Sequence, residues 1–135
     1  MGRSFRLGLE LIGTGTSIRL DQDLNSELQA LQQLADKKRD QIEDREYKHV
    51  KAVNRFALGD WSGATDIWED ILVDHPTDLQ AMKFVHDAYF YLGKQSQIRD
   101  SIARVLPVWQ QSSLPLKRFP NKSIINYFWI NFSND

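Results

Sequence analysis

The chain contains no cysteine. That excludes a disulfide framework, a thiolate zinc site and a cysteine nucleophile together, and it permits a reducing compartment. Charge of one sign is also lacking: the formal net charge is -1. No basic field invites nucleic acid, and no acidic block forms a solvating tail. Long apolar runs are absent, none approaching the roughly eighteen residues that a membrane span requires. Arg3 and Arg6 precede Leu-Gly-Leu-Glu-Leu-Ile, which is too short for a signal core and is broken by Glu10. Arg6 stands where a myristoylation signal would need Ser or Thr. The expected location is therefore cytoplasmic, with neither a membrane nor a nucleic acid as partner. What remains is a chain of 135 residues, 41% hydrophobic and 26% charged, enough for one modest domain with a thin core.

FALGDWSGATDIWEDIL (56–72) laid over FYLGKQSQIRDSIARVL (90–106) matches Phe, Leu, Gly, Ser, Asp and Leu at a constant offset of thirty-four. This offset is the period of a helix-turn-helix solenoid unit, in which no unit buries its apolar face without a neighbour. Within the first unit, Gly59, Trp61, Ala64, Trp68, Ile71, Leu72 and Pro76 follow the second half of a tetratricopeptide repeat. Each has its physical reason. Gly59, which Gly93 matches one repeat later, can take positive φ where the first helix stops, and Ala64 lets two helices approach closely. Trp68 and Ile71 continue one helical face, Pro76 ends it, and Thr77 or Asp78 caps the next helix.

The fold predicted is all-α: antiparallel tetratricopeptide-like pairs forming a short right-handed solenoid over 1–116. A degenerate pair spans 5–39, a repeat 44–76 and a second repeat 78–109. Helices are expected near 5–13, 20–39, 44–58, 62–74, 78–92 and 95–106. Leu20, Leu24, Leu28, Leu31 and Ala35 make an apolar stripe at helical spacing. In the degenerate pair Lys37 and Lys38 replace the apolar residues found at Ile71 and Leu72.

Five strings, LIGTGTSIRLD (11–21), DREYKHVKAV (44–53), DHPTD (74–78), KFVHDAYFYLG (83–93) and IRDSIARVLPVW (98–109), resemble the family of tetratricopeptide repeat protein 38 in order and spacing. The resemblance covers about Leu7 to Leu116. It implies an all-helical, soluble protein built from these repeats and brings no reaction with it. Members of that family continue with more helical pairs, whereas here KRFPNKSIINYFWINFSND follows Leu116. Residues 117–135 are therefore expected to be an irregular, atypical tail, with a genuine apolar cap as the alternative. Without a further helix, Ile98, Ile102, Val105 and Leu106 are expected to form an uncovered face.

Candidate chemistry is sparse. GTGT (13–16) lacks the Lys-Ser or Lys-Thr of a phosphate loop and reads as a turn. His75 sits between Asp74 and Asp78 in a loop whose residues already serve as helix stop and cap. Adjacent helical residues diverge by about 100°, so His86 and Asp87 are not a dyad. His86 shares a face with Met82, Tyr89 and Phe90 and is expected to be buried. Asp87 shares the groove line with Lys83 and Tyr91. His49, in the preceding unit, is expected to join Lys83 and Asp87 in one polar patch. The groove is thus expected to be lined by His49, Val53, Lys83, Asp87 and Phe90. This set lacks the cations and asparagines of a carboxylate clamp. No catalytic residue, metal or cofactor is expected. The function expected is a non-enzymatic scaffold that holds an unknown protein or peptide. The alternative is a piece of a larger repeat-built enzyme or metal protein to which His49, His86 and Asp87 contribute.

Overall fold

A computed structural model describes residues 2–14 and 21–111. These form six α-helices and no strand: α1 (Gly2–Thr14), α2 (Gln22–Lys37), α3 (Asp44–Ala57), α4 (Trp61–Asp74), α5 (Leu79–Tyr91) and α6 (Gln95–Gln111). Leu20, the loop 15–16 and the tail 117–135 lie outside the described residues.

The helix boundaries follow from local chemistry. Asp21, Asp60 and Asp78 each accept a backbone N–H three residues on, from Leu24, Gly63 and Ala81, all at 2.9 Å. These bonds satisfy donors that the first turn of a helix leaves open. Two stops are the same motif repeated. Gly59 and Gly93 hold φ of 88° and 69°, where a β-carbon would be strained. The Gly59 and Asp60 amides donate to Phe56 and Arg55, and the Gly93 and Lys94 amides donate to Phe90 and Tyr89. Both are Schellman closures, and they stand thirty-four residues apart.

Short links return each helix onto its neighbour: α3 packs on α4, α4 on α5 and α5 on α6. This packing of adjacent helices is compatible with a helical repeat. The core runs through the contacts. Ala64 and Trp68 on α4 are wholly buried, and Ile71 and Leu72 extend that face. Trp68 lies 5.5 Å from the Phe84 ring and 6.2 Å from Phe56, which itself stacks on Trp61 at 5.2 Å. Such aromatic pairs stabilise beyond their buried area. On α2, Leu24, Leu28, Leu31 and Ala35 form the buried stripe, turned toward α3.

α6 departs from its expected form in two ways. It continues to Gln111 through Pro107, although proline removes one ladder donor. Trp109 gives the added turn its anchor, buried and donating from Nε1 to the Pro76 carbonyl at 2.7 Å. Ile98, Ile102 and Val105 are also already buried rather than left as an open face, and Leu106 is half-buried. The outward positions include Arg99, Asp100, Arg104 and Gln110. Among the described residues no helix is long and apolar enough to cross a membrane.

Candidate functional site

The expected groove is brought together only in part. Lys83 and Asp87 are four residues apart on α5, and Nζ lies 2.7 Å from the Asp87 carboxylate near solvent. Phe90, at the end of the same helix, is 64% exposed. His49 and Val53 do not join them: they are 0% and 1% exposed. The shared polar patch of His49, Lys83 and Asp87 is therefore corrected. His49 is withdrawn from solvent by the start of α5, whose capping residue Asp78 accepts its hydrogen bond.

That pairing is compact. His49 Nε2 donates to Asp78 Oδ2 at 2.9 Å while Oδ1 of the same carboxylate caps α5. Arg45 Nε stands 3.9 Å away. Burial works to raise the Asp78 carboxyl, but the bonds from His49 and the Ala81 amide outweigh it and hold the group below the usual carboxylate range. One side chain thus caps a helix and ties α3 to α5. His49 Nδ1 is buried with no hydrogen-bond partner. His86 is buried as expected, and burial alone lowers its pKa to about 4, so the ring is neutral at pH 7. Phe90 does not share that burial. Burial, and then the Glu69 carboxylate, raise the Tyr89 phenol above its ordinary value.

The face of α3 and α5 is occupied by the chain itself. α1 packs against both of these helices as well as against α2. Ser4, Leu7, Gly8, Leu11 and Ile12 form its buried side, whereas Arg3 and Arg6 face solvent. Three contacts fix its position along α5. Gln80 Nε2 donates to Ser4 Oγ at 3.1 Å, and Tyr91 Oη donates to the Ile12 carbonyl at 2.8 Å. Between them Gly8 lies against Phe84 so closely that an added β-carbon would sit 2.6 Å from the ring. Phe84 cannot readily yield, being fully buried between Trp68 and Phe5, the latter 5.8 Å away. Burying Leu7, Leu11 and Ile12 contributes about 1.5–3 kcal/mol each before chain ordering is charged against it. A salt bridge from Arg6 to Glu27 adds a surface tie to α2.

Sequence reasoning missed these contacts. The spacing Ser4-x3-Gly8, flanked by Leu7 and Leu11, is a legible sign of close helix approach. Nothing in the sequence names α5 as its target. Also unforeseen is a cleft of about 320 Å³ between α2 and α3, lined by Asn25, Leu28, Gln29, Gln32, Asn54 and Leu58. Asn54 is partly committed, since Nδ2 donates to the Val50 carbonyl. Among the described residues no group of three or more His, Asp or Glu side chains is placed to hold a metal ion. His75 is exposed at the end of α4 and forms no such group with Asp74 or Asp78.

Among the described residues the structural class is thus all-helical, with a self-occupied face on α3 and α5. No protein-family model matches the chain, and no solved structure matches it.

Proposed function

We propose that the protein is a non-enzymatic scaffold of the tetratricopeptide type, a short right-handed solenoid whose first helices, α3 and α5, hold a protein segment. The observation that carries this reading is the docking of α1 across both helices. That face already accepts a helix in this chain. The two Schellman closures one period apart, and the complete burial of Ala64 and Trp68 on α4, support the repeat assignment. So does the resemblance to the tetratricopeptide repeat protein 38 family, which contributes a fold expectation and no reaction. The alternative of a repeat-built enzyme or metal protein has less support, because its candidate residues are paired within the chain or buried. His49 is engaged with Asp78, Asp87 with Lys83, and His86 is buried and neutral.

The test is site-specific photo-crosslinking of the intact protein in cell extract, with a photoreactive residue at exposed Phe90 or, as control, at exposed Arg99 on α6. Discrete protein adducts at position 90 and none at 99 are expected. Equal labelling at both positions, or none at either, sinks the scaffold reading.

A further inference from the structure

α1 lies across α3 and α5, and its contacts there form a defined pattern. Ser4 meets Gln80, Gly8 meets Phe84, and the Ile12 carbonyl meets Tyr91. These contacts select for residue size as well as apolarity. A side chain larger than hydrogen at position 8 collides with a ring that has no room to move.

Resting on the scaffold reading above, we infer that the α3–α5 face is a seat for an amphipathic helix of the pattern small-x2-Leu-small-x2-Leu, that α1 is its resident, and that a partner helix of the same pattern binds by displacing α1. The occupant is defined by the resident. It carries a small hydroxyl or hydrogen residue opposite Gln80, a glycine opposite Phe84, and leucines on the same side. Recognition is of the helix-in-groove kind. Because the resident competes, the apparent affinity of a partner is lowered by the fraction of chains in which the seat is open.

The probe is a fluorescent peptide of residues 2–14, titrated by anisotropy against the full chain, wild type and G8L. The G8L substitution drives a side chain into Phe84 and lifts the resident helix while leaving α3 and α5 unaltered in sequence. The peptide is expected to bind G8L at least roughly 30-fold more tightly than wild type, and a peptide that itself carries G8L is expected to lose that gain. Circular dichroism and melting report whether G8L stays folded. If it does not, Y91F, which removes one hydrogen bond to α1, carries the test with an expected gain of roughly fivefold. Equal binding to wild type and variant, or binding to neither, overturns the inference. So does a concentration-dependent dimer of G8L in sedimentation without peptide binding, which would assign the seat to a second copy. Adducts at position 90 combined with failure of the peptide leave the scaffold standing and remove the helix seat. Peptide binding without adducts keeps the helix seat and removes position 90 from the surface that a partner touches.

Discussion

Three pairs of residues occupy equivalent places one period apart on α3 and α5, and they meet opposite fates. His49 is 0% exposed where Lys83 lies near solvent; Val53 is buried where Asp87 is half-buried; Phe56 is 7% exposed where Phe90 is 64% exposed. The backbone at the two helix ends is the same, since both close on a left-handed glycine with the same pair of hydrogen bonds. The difference lies in the partners that the following residues supply. Phe56 stacks on Trp61 and touches Trp68. One period later those positions are Gln95 and Ile102, so Phe90 has no indole to lie on. His49 is sealed by Asp78, the cap of the next first helix. Backbone closure repeats with the sequence, whereas burial depends on whether the next element brings a matching side chain.

The largest expected effect tests the core side of this comparison. Trp68→Ala should cost about 3–5 kcal/mol in urea unfolding, as deletion of a buried aromatic does, and Ile102→Ala about 2–4 kcal/mol. If the order is reversed, the first unit is not the better packed of the two.

His86 sharpens it through pH. Its folded pKa, about 4, lies below its ordinary value of 6.5, so between these values the unfolded chain binds the extra proton. Stability is then full above about pH 6.5 and falls by up to about 3 kcal/mol as pH drops through 4. His86→Gln should flatten that part of the profile, which denaturation series at pH 7 and pH 4.5 would measure.

The two aspartate caps separate next. Asp78→Ala removes a cap and leaves His49 buried without its acceptor, for an expected loss of about 2–3 kcal/mol. Asp60→Ala removes an exposed cap and should cost about 1 kcal/mol. Equal losses in thermal melts would mean that the His49 bond contributes nothing. Because the Asp78 carboxyl is held low, its contribution is present above the ordinary carboxylate range and disappears as pH falls through the folded value.

The smallest effect belongs to the open side. Lys83→Ala removes a surface pair to Asp87, and its expected change is within about 0.5 kcal/mol. A larger loss by calorimetry would show that Lys83 is held by more than this pair.

Much of the fold was legible because its signals are local. Asp78 announces a helix start, Gly59 and its repeat match Gly93 mark stops, and the thirty-four-residue offset orders what lies between, whereas the caps at Asp21 and Asp60 show only in the structure. α6 ran past its expected end because Trp109 found a carbonyl on Pro76, a contact that no local rule contains. The groove was misread for a related reason. Equivalent positions were expected to share an environment, yet His49 and Val53 are covered while Lys83 and Phe90 are not.

By itself the sequence determined the helices, their order, the buried stripe of α2 and the absence of thiol chemistry, since capping, periodicity and composition act over a few residues. The tertiary structure decided that α1 rests on α3 and α5, that Asp78 is both cap and partner of His49, and that Phe84 leaves space for nothing larger than Gly8. These join residues 29 and 76 positions apart. Such pairings follow from which surfaces can pack without voids or unmet donors, a condition set by the whole assembly rather than by any one segment.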